Sequence, residues 1–141
     1  MDRGSILRVW LPLLAGLWCL EYFFVSGPGP RDLLRWVGLG LGTLGLAGLT
    51  VARYTLGRSF SISPKARELV TRGIYSRIRN PIYVSGVIFA AGFFLMVRKP
   101  VFWFVLLPIV ILQIVRANKE ARVLEAAFGD SYREYRKRTW F

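Results

Sequence analysis

Four stretches of this chain run for 16 residues or more with almost no charge, and they leave few ways to fold it. The first covers residues 6–25, with Arg8 near its start and Glu21 near its end. Trp36 to Ala52 and Pro81 to Val97 follow, 17 residues each, and Pro100 to Val115 adds 16. A membrane-crossing helix needs about 20 apolar residues and tolerates about 17. The last three sit at the short limit, so flanking Lys and Arg must snorkel or the bilayer must thin around them. One such run alone fits the core helix of a soluble protein. Four of them in 141 residues, in a chain that is 54% hydrophobic, leave too small and too basic a remainder to wrap them. The expectation is an all-α integral membrane bundle of about four transmembrane helices, 6–25, 36–52, 81–97 and 100–115, forming a single domain over residues 1–141.

The first stretch also has the outline of a secretory leader, with Arg3 and Arg8 ahead of an apolar middle. Its length exceeds an ordinary leader core, and the other helices need a packing partner, so it reads as a retained helix. Leu14-Ala15-Gly16 looks like the start of a lipoprotein box, but Cys19 lies too far downstream.

Basic residues give the orientation. With four spans, the N-terminus, segment 53–80 and segment 116–141 share one side and hold 16 of the 20 Lys and Arg residues. Arg31, Arg35, Arg98 and Lys99 are the 4 on the other. The positive-inside bias makes the chain multi-pass with both termini cytoplasmic. The net charge of +12 then reports topology and attraction to anionic lipid, not nucleic acid. Arg98-Lys99-Pro100 reads as a tight turn that makes a hairpin of spans three and four.

The chain has no histidine and one cysteine. Ser-His-Asp catalysis and histidine-ligated zinc are excluded, no internal disulfide is possible, and no metal site is expected. Gly40, Gly42 and Gly45 match the glycine spacing of dinucleotide-binding loops, yet they sit inside an apolar run with no strand before them. Gly38, Gly42, Gly45 and Gly48 read instead as a smooth face that lets a neighbouring helix approach.

In segment 53–80, Ser63 before Pro64 is placed to cap a short helix, and Gly73 supplies a turn. Asn80 and Pro81 suit the N-cap and first position of the third span. Arg79 and Tyr83 then stand at a helix mouth whose N–H groups suit an anion. In the tail a helix is expected from about Val115 to Phe128, with Ala117, Ala121, Leu124 and Phe128 as an apolar stripe. Gly129 is the stop, and Ser131 with Glu134 makes a capping box for a final short helix. Glu120 stands one turn from Arg116, where a salt bridge is the simplest expectation.

Gly73-Ile74-Tyr75 followed by Arg79-Asn80-Pro81-Ile82-Tyr83 resembles the signature of the isoprenylcysteine carboxyl methyltransferase and phospholipid methyltransferase superfamily, a Gly-Pro-Tyr element followed by Arg-His-Pro-x-Tyr. After 36 intervening positions comes Glu120-Ala121, where the superfamily has a Glu-Glu pair. Leu124, Phe128-Gly129, Tyr132 and Tyr135 resemble its usual ending. The likeness covers roughly residues 53–138.

The resemblance implies a membrane enzyme that uses S-adenosylmethionine, held at the cytoplasmic face by segments 53–80 and 116–141. The methyl acceptor is a lipid-like or hydrophobic molecule reached through the bilayer, taking methyl on a carboxyl oxygen or an amine nitrogen. Carried over by position, Gly73, Tyr75, Arg79, Asn80, Pro81, Tyr83 and Glu120 bind the cofactor, and Arg79 and Glu120 are the catalytic pair. The chemistry is consistent: Arg79 suits the cofactor's carboxylate, Glu120 its ammonium, and tyrosine faces its sulfonium, the last worth about 0.5–2 kcal/mol. Two departures stand out: the superfamily histidine is Asn80, and the second glutamate is Ala121. Two alternatives stay open at this level, a family-derived membrane protein that binds without catalysing and an NADPH-dependent lipid reductase. No feature of the sequence specifies an oligomer.

Overall fold

The computed structural model describes residues 3–56 and 69–141. The expected cap at Ser63 and Pro64 lies outside the described residues. Among the described residues five α-helices follow in order: α1 (Arg3–Ser26), α2 (Leu33–Leu56), α3 (Pro81–Val97), α4 (Val101–Phe128) and α5 (Asp130–Arg138). A 3-10 turn, Gly73–Ser76, stands between α2 and α3. Among the described residues the only strand-like feature is a parallel bridge between Ile78 and Trp140.

Two helices, α2 and α4, are long and apolar enough to cross a membrane; the apolar part of α1 (Trp10–Ser26) and α3 are shorter. The four-span expectation is therefore met at that length by two. At 1.5 Å per residue the 17 residues of α3 rise about 25 Å, short of a hydrocarbon core of about 30 Å. It ends where Arg98 turns left-handed (φ 57°) and donates its N–H to Phe94 O at 3.1 Å. Pro100 then leads into α4, which completes the expected hairpin turn.

The fourth span and the tail helix, expected as separate elements, are one continuous helix of 28 residues. No glycine interrupts 101–128, and Pro108 removes only one N–H from the ladder. Much of α4 faces outward, with Phe104 79% exposed and Leu107, Ile111 and Leu112 also exposed, the composition of a surface that meets lipid.

The tightest packing is between α2 and α3, and glycines make it. A Cβ on Gly38 would lie 2.8 Å from Gly92 O, one on Gly45 would collide with the Phe89 backbone, and one on Gly92 with that of Gly42. Helices without Cβ atoms at the crossing bring their backbones together, which replaces the hydrophobic drive that lipid does not supply. Around this seam Leu20 of α1, Leu46 of α2 and Met96 of α3 form a core, so α1 is the packing partner expected of it. Phe23 of α1 also meets Phe93 of α3 edge-on at 4.8 Å.

At the opposite end from the 3-10 turn, Arg35 is buried to 1% exposure. Its guanidinium donates to the carbonyls of Phe24, Gly27 and Pro28, which closes the C-terminal end of α1 with a cation where the helix dipole favours one. Asp32 caps α2 by accepting from Arg35 N–H at 3.2 Å, and its carboxylate also pairs with Arg98 across the two connections. That pairing holds the Asp32 carboxyl below its usual range.

Gly129 (φ 53°) separates α4 from α5 as expected, its N–H donating to Glu125 O at 2.9 Å. The expected capping box does not form. Gly129 itself is the N-cap, without a side-chain cap bond, and Glu134 pairs with Arg138 one turn on.

Candidate active site

A cavity of about 330 Å3 opens where the C-terminal end of α2, the start of α3, the middle of α4 and the 3-10 turn converge. Leu49, Arg53 and Leu56 line it from α2, and Tyr75, Arg79 and Asn80 from the turn and the residues after it. Ile82, Tyr83 and Gly86 come from α3, and Gln113, Arg116 and Glu120 from α4.

Each wall has a local cause. Gly73 adopts φ 59°, and a Cβ there would come within 3.1 Å of Thr55 Cγ2, so glycine lets the turn close against the end of α2. The turn buries Tyr75 with Ala52 and Val70. Pro81, buried at the first position of α3, starts that helix with a fixed φ and no N–H to satisfy. On α4, residues 113, 116 and 120 fall on one face by their spacing of three and four.

A second layer holds the turn from outside. Tyr135 of α5 donates its hydroxyl to Tyr75 O at 2.7 Å, and Tyr132 is 3% exposed. The last two residues then pair with the segment that carries the charged side chains. Trp140 N–H donates to Arg77 O at 2.8 Å, Arg79 N–H to Trp140 O at 3.0 Å, and Asn80 N–H to Phe141 O at 3.0 Å.

Of the seven residues expected at the site, five line this cavity: Tyr75, Arg79, Asn80, Tyr83 and Glu120. Gly73 and Pro81 do not; they shape the turn and the helix start. Three further details differ from expectation. Asn80 occupies the N-cap position, but its side chain makes no cap bond, so it is left to face the cavity. The mouth of α3 is a poorer anion site than its position promised, because Asn80 N–H is taken by Phe141, Pro81 has none, and Tyr83 N–H turns back to Asn80 O. Glu120 forms no ion pair with Arg116; it accepts from Tyr83 Oη at 3.1 Å on Oε2.

The electrostatics follow from these contacts. Burial pushes the Glu120 carboxyl above its ordinary range, and the Tyr83 hydrogen bond offsets this only in part. Arg79 Nε is buried without a hydrogen-bond partner among the described residues. Arg79 and Glu120 line one cavity, yet the ion pairs of the described residues join neither of them. Burial also raises Tyr75, Tyr132 and Tyr135, the last to about 12, so all three hydroxyls keep their protons at neutral pH.

The family model for phospholipid methyltransferase matches residues 32–131, more than two thirds of the chain. The chain belongs to the phospholipid methyltransferase family. No curated protein and no solved structure matches it. The match runs from the N-cap of α2 into α5 and so contains every residue that lines the cavity, while α1 lies outside it. Together with the apolar helices it points to a membrane methyltransferase.

Seven lining residues are not among those expected at the site: the apolar Leu49, Leu56 and Ile82, and Arg53, Gly86, Gln113 and Arg116. In the sequence Arg53 and Arg116 read as topology signals at the ends of apolar runs. Gln113 carried a usable signal, because it is the one amide within Pro100 to Val115 and lies seven residues, two turns, before Glu120.

Proposed function

We propose that this chain methylates the amine headgroup of a membrane phospholipid with S-adenosylmethionine, at the cytoplasmic face of a four-span bundle. The observation that carries the reading is that Arg79 and Glu120 line one cavity and that, among the described residues, neither enters an ion pair. Both side chains are half-buried, and opposite charges that face one cavity without pairing mark a place that a zwitterion completes. The amino-acid part of S-adenosylmethionine is such a zwitterion, and a cavity of about 330 Å3 is within the range of small-molecule sites.

In this reading Arg79 holds the cofactor's carboxylate and Glu120 its ammonium, with Tyr83 fixing the Glu120 carboxylate through its hydroxyl. Asn80 offers an amide for hydrogen bonding where relatives carry histidine. Tyr75 walls the site with an aromatic ring that tolerates a sulfonium. When bound, the cofactor supplies a methyl on positive sulfur: the acceptor nitrogen's lone pair forms the new C–N bond as the C–S bond breaks toward sulfur. The residues contribute alignment and exclusion of water rather than acid-base chemistry, and the acceptor amine gives up its proton to solvent before it enters. The oligomeric state plays no part in this reading.

The family favours methyl transfer over lipid reduction, and the amine acceptor over a prenylcysteine carboxylate, because the matched family is that of phospholipid methyltransferases. Asn80 and Ala121 support a second reading, binding of the cofactor without transfer. One experiment separates them. The purified chain in vesicles of phosphatidylethanolamine receives methyl-labelled S-adenosylmethionine, and labelled lipid is followed alongside cofactor binding. Labelled N-methylated lipid supports the enzyme. Binding without product supports the second reading, and no binding at millimolar cofactor sinks both.

A further inference from the structure

A second cleft, about 420 Å3, lies between α1 and α2 and has Phe89 of α3 at its back. Its two long walls are regular. On α2 it is lined by Leu46, Leu49, Thr50 and Arg53, spaced as one helix face, and on α1 by Leu13, Gly16 and Cys19. Seven residues of helix rise about 10 Å, so the cleft is a slot that runs along the helices. Its lining is apolar along this run. Thr50 Oγ1 is committed to Leu46 O at 2.8 Å, which turns the hydroxyl toward its own backbone. The one charged lining residue, Arg53, stands in the last turn of α2. Leu49 and Arg53 also line the candidate active site, so these two side chains border both spaces.

We infer that this slot seats one hydrocarbon chain of the acceptor, with Arg53 at the junction holding the anionic group that joins chain to headgroup. The two walls come close, with Leu46 Cδ1 2.7 Å from where a Cβ on Gly16 would stand, so a helix, about 10–12 Å across, does not fit between them and a single extended chain is the occupant. The order of groups along the slot is that of a lipid in a leaflet, charge at the C-terminal end of α2 and oil toward the middle of the helices. A headgroup anchored at Arg53 lies beside the neighbouring cavity, which Arg53 also lines. Leaving bilayer for slot gains no hydrophobic free energy, since both are equally apolar. The slot therefore orients the acceptor rather than concentrating it, and the anion at Arg53 supplies the selection. The identity of the headgroup rests on the methyltransferase reading above; the seat itself does not. The outer helix of the slot, α1, lies outside the family match, so the seat belongs to this chain and not to the matched region alone.

The test uses the full chain in phosphatidylcholine nanodiscs doped with a phosphatidylethanolamine that carries a diazirine on one acyl chain. Irradiation and peptide mapping should give adducts at Leu13 to Cys19 and Leu46 to Thr50, and excess unlabelled phosphatidylethanolamine should remove them. Adducts on the exposed face of α4 report bulk lipid and should persist. Diacylglycerol, which lacks the phosphate, should compete poorly, and Arg53→Gln should erase that difference. Ala15→Phe, on the exposed rim of the slot, should cut slot adducts about tenfold, which corresponds to ~1.4 kcal/mol of lost occupancy. Slot adducts that persist under competition as those on α4 do would overturn the seat, and equal competition by diacylglycerol would overturn the role of Arg53. Because the adducts form without turnover, specific labelling in a protein that transfers no methyl group would count against the methyltransferase reading alone.

Discussion

Replacing Glu120 by Gln tests the candidate site with the least structural disturbance. The amide oxygen can still accept from Tyr83 Oη, now 3.1 Å from the carboxylate, so only the charge is withdrawn. A hydrogen bond to a charged group contributes about 1.5–3 kcal/mol net. The bare Coulomb attraction between a carboxylate and an ammonium 4 Å apart is about 4 kcal/mol at an effective dielectric of 20. Part of that is already spent in the empty site, where burial raises the Glu120 carboxyl and makes its ionised form unfavourable. The lower figures therefore apply, and S-adenosylmethionine should bind roughly ten- to a hundredfold more weakly to Glu120→Gln. Calorimetry in detergent measures this directly, with helix content and thermal midpoint as controls. Tyr83→Phe, which removes the donor and leaves the charge, should cost less, about 0.5–1.5 kcal/mol. Wild-type affinity in Glu120→Gln, with the fold intact, would refute the assignment of the ammonium to this residue.

Other outcomes follow from the same geometry. Since the folded protein raises the Glu120 pKa, the carboxylate that binds an ammonium exists only above that raised value. Cofactor affinity should therefore fall, on acidification, at a higher pH than an ordinary glutamate would set, and Glu120→Gln should lose this limb. The linked effect on stability has the opposite sense: the ligand-free protein should gain stability as pH drops through the raised pKa, because its buried carboxyl takes up a proton there. Gly92→Ala should lower the thermal midpoint, since its Cβ meets the backbone of Gly42 and Gly38, and overpacking of this kind costs about 1–3 kcal/mol. Gly40→Ala meets nothing within 4 Å and should be neutral or stabilising by up to about 1 kcal/mol. Asn80→His breaks no side-chain cap bond and should be tolerated with raised turnover of labelled lipid; equal or lower turnover would count against a catalytic deficit at this position.

The helices were legible because apolar runs bounded by charge are a coarse and robust signal. The limits of α3, Pro81 to Val97, coincide with the run read from sequence. The glycines of α2 were legible because an apolar context leaves packing as their use. What escaped was longer-range. Whether 101–128 bends at Arg116 depends on the absence of a breaker, so α4 continues through the change from apolar to polar surface. The Ser131 and Glu134 capping pair fits local spacing, but the positive φ of Gly129 starts α5 earlier and Arg138 takes the glutamate. Motif likeness located the cavity but merged two kinds of residue: Tyr75, Arg79, Asn80, Tyr83 and Glu120 face it, whereas Gly73 and Pro81 shape the backbone around it. Arg53 and Gln113 belong to apolar helices, where a one-dimensional reading sees only hydropathy and charge sign.

The pairing of Trp140 and Phe141 with Arg77 to Asn80 has a consequence for the order of events during synthesis. Chains are made from the N-terminus at about 5–20 residues per second. The glycine seam between α2 and α3 can close while α5 is still inside the ribosome. Tyr135 and the last two residues arrive afterwards and fasten the backbone that carries Tyr75, Arg79 and Asn80. A growing chain in the membrane thus acquires its helical frame before the walls of the candidate site are fastened, so products that stop short of α5 should integrate into lipid with that site unformed.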